Sequence, residues 1–562
     1  MIQDRIQHWA NHPNLDERLR NELQQLDQNA LNDAFYTQLE FGTAGMRGLL
    51  GVGPNRMNVH TIRKANVAFA RYLLRYPDIH HKGVAIAYDN RHMSHEFALE
   101  SARVLAMHNI PAYLFSALRP TPELSFAVRN LGCEGGIVIT ASHNPKEYNG
   151  YKVYDREGCQ LVPELIDQVI EHIRAIEDEL AIEVALSPQQ EALIHPILNE
   201  IDEAYIQAVL GIRLRTDLDT SQLKLVFTPQ HGTALVPIQA CFERAGYRLS
   251  LVEAQCSPDP DFTNTHSPNP EEAKAYELAI EQARAIQADG VLSTDPDADR
   301  MGVAVYHQGE YRLLSGNQTG AILIEYVLST LTEQGRLPDS ALMFNTIVTS
   351  DIGEKIARSY GVKTEKTLTG FKFIGERIQH YTRTQTHSFV FGYEESYGYL
   401  IQAFVRDKDA IQACLMLAEA MAYYKARQQT LVDVLNQLYL RHGAYVDEQI
   451  SLSLSGQAGL KKIQAILHYF RTTPISTLAD LPVIAIEDYL SQTRREGTDV
   501  STLPFVKADV LKFYLADGSW VAIRPSGTEP KCKFYFCVVD RTLDAAQAKF
   551  ERLKNAVLAK TN

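Results

Sequence analysis

Apolar and polar positions along the chain switch period many times, and each switch marks an element. Short runs rich in β-branched residues alternate with stretches whose apolar residues recur every third or fourth position, the patterns of buried strands and amphipathic helices. Residues 61–76 predict a helix, 83–88 a strand ending in Asp89-Asn90-Arg91, 94–108 a helix and 111–115 a strand. Ile137, Val138 and Ile139 predict a buried strand that delivers the loop Thr140-Ala141-Ser142-His143-Asn144-Pro145 at its carboxyl end, the edge where open α/β sheets bind ligands. Pro145 forbids an immediate helix, Asn149-Gly150 predicts a turn, and residues 151–154 resume a strand before a helix over 163–179.

The same texture then restarts twice. Strands at 223–227 and 247–253 and helices at 236–245 and 271–288 lead to a strand at 290–293, which runs into Thr294-Asp295-Pro296-Asp297-Ala298-Asp299-Arg300. A strand at 341–349, a helix at 351–360 and a strand at 388–391 lead into Gly392-Tyr393-Glu394-Glu395-Ser396-Tyr397-Gly398, and a helix over 408–427 closes the cycle. Three successive α/β units, each ending a core strand in a polar loop, read as an internal structural repeat with mixed sheets covered by helices. Beyond residue 437 the pattern becomes that of a smaller α+β domain, with helices at 457–470 and 543–559 and strands at 510–514, 519–524 and 531–539 around the hairpin signal Asp517-Gly518. The expected domains are 1–205, 206–313, 314–436 and 437–562.

Composition changes this picture little. The chain has 562 residues, 45% hydrophobic and 22% charged, which suits several packed domains. Its formal charge of -13 argues against a general nucleic-acid binder, so an anionic ligand would need local basic clusters. Seven cysteines without a C-x-x-C pair suggest neither a disulfide framework nor a zinc site, and no apolar run reaches about 18 residues. A cytoplasmic protein without a membrane partner is expected.

The loops carry the chemistry. Ser142, held on a strand-end loop with Lys152 nearby, is a candidate covalent carrier. Asp295, Asp297 and Asp299 concentrate three carboxylates, which is unfavourable unless a cation sits among them. An EF-hand is excluded, since Arg300 stands where it needs glycine and Tyr306 where it needs an acid; few carboxylates plus a substrate phosphate suit Mg²⁺. The stretch Arg524-Pro525-Ser526-Gly527-Thr528-Glu529-Pro530-Lys531 has a phosphate-cradling inventory. The adjacent carboxylates Glu394 and Glu395 and a serine, Ser396, at a strand end suit vicinal sugar hydroxyls, with Thr369-Gly370-Phe371-Lys372 and Arg406-Asp407-Lys408-Asp409 adding basic residues. Residues 41–58, FGTAGMRGLLGVGPNRMN, bring glycines and Arg47 but match neither G-x-G-x-x-G nor the P-loop.

TASHNPKEYNGYKVY, DPDADR, GYEESYGYL and RPSGTEPK in that order, with FGTAGMRG in front, resemble the α-D-phosphohexomutase superfamily, in its phosphoglucomutase and phosphopentomutase branch. The resemblance implies three similar mixed-sheet α/β domains around a central cleft plus a smaller C-terminal α+β domain. It implies an active-site phosphoserine at Ser142 and Mg²⁺ held by Asp295, Asp297, Asp299 and the phosphate on Ser142. Arg47, Lys152, Arg300 and Lys408 would surround the transferring phosphoryl group, with His143 beside the serine. Glu394 and Ser396 would hold sugar hydroxyls, Thr369 and Gly370 the ring region, and Arg524, Ser526, Gly527 and Thr528 the non-reacting phosphate.

The implied reaction interconverts glucose 1-phosphate and glucose 6-phosphate, with glucose 1,6-bisphosphate as intermediate and activator. The implied partners are small sugar phosphates, and the chain is expected as a monomer or weak homo-oligomer. Related enzymes with dual mannose and glucose activity resemble G-E-M-S where this chain has Glu394-Glu395-Ser396, so glucose is favoured over mannose. Tyr393 before the two glutamates departs from the simple pattern, and pentose phosphates are the runner-up. A sugar-bisphosphate synthase or a phosphatase would use the same serine.

Overall fold

The computed structural model describes residues 2–42, 45–454, 456–525 and 531–561. The chain forms two compact units, one of residues 1–316 with 370–428 and the other of 317–369 with 429–562.

The first unit opens with three short helices, Ile2–Asn11, Glu17–Gln25 and Gln28–Phe35. Asp16 and Asp27 cap the second and third by accepting amides of their first turns. A seven-stranded mixed sheet follows, built from β1 (Phe41–Gly42), β2 (Gly45–Leu49), β3 (Val84–Tyr88), β4 (Ala112–Phe115), β5 (Gly135–Ile139), β6 (Tyr148–Asp155) and β7 (Ile194–Ile197) in the order β1-β2-β6-β5-β3-β4-β7. β5, β3, β4 and β7 run parallel, and β6 turns back antiparallel to β5. Every residue of β5 is buried, which is why its sequence is continuously apolar.

A second mixed sheet contains β8 (Lys224–Thr228), β9 (Arg248–Leu251), β10 (Gly290–Thr294), β11 (Met301–His307) and β12 (Glu310–Leu314), ordered β12-β11-β10-β8-β9. Its parallel strands β9, β8 and β10 are completed by the antiparallel β11 and β12.

In the second unit, β13 (Ala341–Thr346) and β14 (Lys363–Thr367) pair in parallel, joined by the helix Asp351–Ser359. The chain then returns to the first unit for the hairpin of β15 (Ser388–Glu394) and β16 (Gly398–Leu400) and the helix Ala410–Lys425. The second unit ends with an eight-stranded antiparallel sheet: β17 (Ala444–Ser453), β18 (Thr477–Leu478), β19 (Leu481–Asp488), β20 (Thr493–Glu496), β21 (Asp499–Thr502), β22 (Leu511–Leu515), β23 (Trp520–Pro525) and β24 (Lys531–Asp540). Its core joins Phe470 of the helix Gly456–Thr472, Phe513, Phe536 and Phe550 of the helix Leu543–Leu558, packed edge to face. Mixed sheets in several α/β layers followed by a C-terminal α+β layer agree with the expected fold class.

Three local expectations need correction. Asn149-Gly150 is no turn but lies inside β6, where a Cβ on Gly150 would stand 2.3 Å from the Thr140 carbonyl oxygen and 3.0 Å from that of Met46. The glycine is there so that strands can close on both sides. The helix expected over 163–179 stops at Arg174. The one expected over 271–288 begins as a 3-10 turn at Ala273–Tyr276 and becomes α-helical over Glu277–Ile286.

Among the described residues no helix is long and apolar enough to cross a membrane. Because Gly150 is enclosed by backbone that cannot yield as a side chain would, Gly150→Ala is expected to cost about 1–3 kcal/mol of stability, read from the denaturation midpoint.

Candidate active site

Strand ends of the first unit converge on one charged centre. The loop after β5 passes through Ser142 in a left-handed conformation, φ 52°, which a non-glycine residue holds only when its surroundings enforce it. The Ser142 amide donates to Thr140 Oγ1 at 2.8 Å. Arg91, from the loop after β3, then gathers the rest: its guanidinium donates to the carbonyls of Ser142 at 2.6 Å, Pro145 at 2.8 Å and Tyr148 at 3.1 Å, and to that of Asn144. Arg91 is itself fully buried against Asp89 at 3.4 Å. Arg47, on β2, donates to Asn144 Oδ1 at 2.9 Å.

The loop after β10 supplies Asp295, Asp297 and Asp299, all buried, with carboxylate oxygens within 4.8 Å of one another. Ser142 Oγ donates to Asp295 Oδ2 at 2.7 Å, and Asp295 Oδ1 accepts the amides of Asp299 at 3.1 Å and Arg300 at 3.0 Å. Thr121 Oγ1 donates to Asp297 Oδ2 at 2.9 Å. Ala298 closes the loop in the left-handed region, φ 55°. Gly232 backs it so closely that a Cβ there would lie 2.4 Å from Pro296 Cα.

Cations face the carboxylates from two further elements. Lys152 on β6 has its Nζ 3.0 Å from Asp297 Oδ2 and 3.5 Å from Asp299 Oδ2. Lys408, just before the helix Ala410–Lys425, reaches Asp299 Oδ2 at 2.8 Å and Asp407 Oδ1 at 3.5 Å. Its stem passes over Gly398, where a Cβ would come within 2.3 Å of Lys408 Cδ. Arg300 pairs with Glu271.

The ionisation pattern follows from this crowding. Burial and the neighbouring Asp297 and Asp299 push the Asp295 carboxyl well above the ordinary range. Burial also opposes ionisation of Asp297, but Lys152 and Lys408 outweigh it and hold that carboxylate below the ordinary range. Burial pulls against the Lys152 and Lys408 ammoniums, yet the aspartates facing them keep both above the usual lysine value. His143, its Nδ1 3.2 Å from Ser142 Oγ, is driven well below the ordinary histidine range by burial and by Arg300 and Arg47, so its imidazole is neutral.

Asp297 Oδ1 and Asp299 Oδ1 are buried with no hydrogen-bond partner. Orphaned carboxylate oxygens beside a third carboxyl whose ionisation its neighbours oppose are what a hard divalent cation would satisfy, so the donor set fits Mg²⁺.

The phosphoglucomutase/phosphomannomutase family models match most of the chain: α/β/α domain I over residues 38–180, domain II over 203–309, domain III over 315–441 and the C-terminal domain over 476–554. Phosphoglucomutase of Staphylococcus epidermidis is 40% identical over 531 residues, covering 93% of this chain and 94% of its own. The chain belongs to the phosphoglucomutase/phosphomannomutase family. Phosphoglucomutase of Staphylococcus aureus strain RF122 is 41% identical over 512 residues, 90% of each chain. Two solved structures share the fold. A phosphoglucomutase/phosphomannomutase family protein from Burkholderia thailandensis has a TM-score of 0.66 at 19% identity, covering 94% of this chain and 99% of its own. Parafusin, a phosphoglucomutase from Paramecium, has a TM-score of 0.68 at 21% identity, covering 93% and 96%.

Of the residues expected from sequence, this phosphoglucomutase/phosphomannomutase family chain brings Ser142, His143, Lys152, Arg300, Lys408 and the three aspartates into one centre, with Arg47 joined to it through Asn144. Glu394, at the end of β15, accepts the Gly370 amide at 2.8 Å, and Ser396 sits half-buried in the turn that follows. Thr369 ends the segment that belongs to the second unit, where Arg524 also lies, at the end of β23. Ser526, Gly527 and Thr528 fall outside the described residues.

Arg91, Thr121, Glu271 and Gly232 escaped sequence reasoning. Asp89-Asn90-Arg91 at a strand's carboxyl end was the one available signal, whereas Thr121 and Gly232 act through packing that no local pattern announces.

Two outcomes follow from this geometry. Gly398→Ala, by displacing the Lys408 stem, should lower kcat of the family's mutase reaction roughly tenfold to a hundredfold with little change in Tm. Burial, with Glu395 adding to it against Lys408, raises the Glu394 pKa from 4.5 to about 7. The native carboxyl therefore keeps a proton that the unfolded chain has released, so stability of the unliganded protein should fall as pH rises from 4.5 to about 7 and level off above, and denaturation of Glu394→Gln should lack that segment.

Proposed function

We propose that the chain interconverts glucose 1-phosphate and glucose 6-phosphate through a phosphoryl group carried on Ser142. The observation that carries this reading is the 2.7 Å hydrogen bond from Ser142 Oγ to Asp295 inside a buried three-carboxylate cluster. A hydroxyl so placed puts any phosphoryl group it bears against the same oxygens that would hold a cation.

In the first half-reaction the P–O bond to Ser142 Oγ breaks as the sugar 6-hydroxyl oxygen bonds to phosphorus. The proton the sugar hydroxyl loses is made up on Ser142 Oγ, so the serine leaves as a neutral hydroxyl and no proton is gained or lost overall. The resulting glucose 1,6-bisphosphate reorients and returns its 1-phosphoryl group to Ser142, leaving glucose 6-phosphate. Bisphosphate added from outside would act as the activator that restores a dephosphorylated serine. Transfer of this kind depends on positioning and charge neutralisation more than on covalent chemistry.

Asp295, Asp297 and Asp299 would hold Mg²⁺ together with the Ser142 phosphate; bound there, the ion supplies neutralisation of developing charge on the phosphoryl oxygens. Lys152, Lys408 and Arg300 would share that task. Because both lysines stay protonated among carboxylates, they suit neutralising and proton donation better than proton abstraction. His143, neutral, would accept or donate a hydrogen bond at the serine oxygen. Arg47, through Asn144, and Arg91, through the loop carbonyls, would fix the serine.

Glu394, oriented by the Gly370 amide, and Ser396 would read sugar hydroxyls, with Thr369 at the ring and Arg524, Ser526, Gly527 and Thr528 at the non-reacting phosphate. Glu395 at the position that varies with sugar preference favours glucose. All seven cysteines are buried and form no disulfide, in keeping with a cytoplasmic enzyme; a monomer or weak homo-oligomer is the state proposed for it.

The test is glucose 6-phosphate formation from glucose 1-phosphate in a coupled assay with Mg²⁺ and glucose 1,6-bisphosphate. Ser142→Ala should lose at least roughly 10³-fold in kcat, and a chelator should abolish wild-type turnover until Mg²⁺ is restored. Intact mass should show one phosphoryl group on wild-type protein after bisphosphate treatment and none on the variant. Wild-type rates from Ser142→Ala would end this reading.

A further inference from the structure

Away from the centre around Ser142, the N-terminal helix carries a second set of metal-ligating side chains. His8 lies in the last turn of the helix Ile2–Asn11 and His12 immediately follows it, a spacing of four that puts both imidazoles on one face. Asp178, from the segment after the helix Pro163–Arg174, meets them: its Oδ2 lies 3.0 Å from His8 Nε2 and 3.7 Å from His12 Nε2. The candidate ligand atoms of all three side chains fall within 4.8 Å of one another.

We propose that His8, His12 and Asp178 form a site for a transition-metal dication of the Zn²⁺ class, clasping the N-terminal helix to the segment around Asp178. Two imidazoles and one carboxylate are the ligand set that Zn²⁺ takes, whereas Mg²⁺ prefers oxygen alone. The spacing agrees: with bonds of about 2.0–2.1 Å, neighbouring ligands of a tetrahedral ion stand about 3.3 Å apart. The two observed separations, 3.0 and 3.7 Å, bracket that distance.

The carboxylate is already aimed. Asp178 Oδ1 accepts the Leu180 amide at 3.0 Å, which leaves Oδ2 to face the imidazoles. A cavity of about 260 Å³, lined by Arg5, His8, Trp9, Asp178 and Glu179 among others, opens beside the cluster and gives an ion both an entry path and room for a water as fourth ligand. His12 Nδ1 accepts the Asn14 amide at 3.2 Å. Ligation through Nε2 places the ring proton on Nδ1 and gives up that long contact, so the affinity is expected in the micromolar range and not at the level of a closed structural zinc site.

Co²⁺ tells the two metal sites apart, because a tetrahedral nitrogen-containing site absorbs visible light strongly and an oxygen-only, higher-coordinate site only weakly. Full-length protein in Mg²⁺ buffer is titrated with Co²⁺ and then with Zn²⁺. The expected result is one equivalent of strong visible absorption, removed by one equivalent of Zn²⁺.

In His8→Ala/His12→Ala the band should vanish and Zn²⁺ affinity should fall at least about tenfold, with mutase activity unchanged. Asp178→Asn should weaken the band, and Asp297→Asn, which disables the other cluster, should keep it whole. A wild-type protein without the band, or a double variant with the wild-type band and affinity, would overturn the proposal. Loss of the band in Asp297→Asn but not in the double variant would assign the ion to the aspartate cluster and overturn it equally.

Discussion

Three carboxylates buried within a few ångströms of one another are the constraint to which the first unit is built. Two like charges about 4 Å apart in a protein repel by about 4 kcal/mol even at an effective dielectric near 20, and the aspartate loop contains three such pairings. The chain meets this in three ways at once. Asp295 takes the hydroxyl hydrogen of Ser142 and two backbone amides, Asp297 takes Lys152 and the Thr121 hydroxyl, and Asp299 takes Lys408 with Lys152 behind it. Two carboxylate oxygens are nevertheless left over. A cluster this crowded, with two oxygens left without a hydrogen bond and its loop rigidly held, makes physical sense as a receptacle for positive charge.

The rigidity comes from backbone held in conformations or contacts that sequence alone does not advertise. Ser142 and Ala298, one in each loop, both adopt positive φ without being glycine. What enforces them is a set of close approaches: Arg91 beneath the serine loop, Gly232 against Pro296, and Gly150 letting β6 press on the residues that flank Ser142. Each removes a freedom the loop would otherwise have, so the hydroxyl and carboxylates meet with little left to reorganise.

Much of this was legible in the chain beforehand, and the reasons differ by scale. Strands such as β5 and β10 announce themselves because full burial on both faces demands an unbroken apolar run. The loops after them stand out because clustered carboxylates and cations are costly to bury in an ordinary core. The Asn149-Gly150 pair misled because the same dipeptide that closes hairpins also lets strands touch, and the choice between the two depends on neighbours from Met46 and Thr140. Arg91 was visible only as one of three polar residues at a strand end; that it would hold four carbonyls between Ser142 and Tyr148 is a fact of tertiary packing. The order of motifs along the chain was enough to reach the family.

The pieces of the centre lie far apart along the polypeptide. Asp295 is 153 residues from Ser142, and Lys408 lies more than a hundred beyond that. Domains generally fold in order as they leave the ribosome, N-terminal first. A nascent chain that has released its first sheet therefore displays Ser142 as an ordinary hydroxyl on a braced loop, without carboxylates to hold a cation and without Lys408 to balance them. The second sheet brings the aspartates but leaves Asp299 short of its closest ammonium. Only when the hairpin of β15 and β16 and the segment after it have come back to the first unit is the charge set whole. The long detour in connectivity thus leaves the closest ammonium of Asp299 to a segment made more than a hundred residues after the aspartate loop.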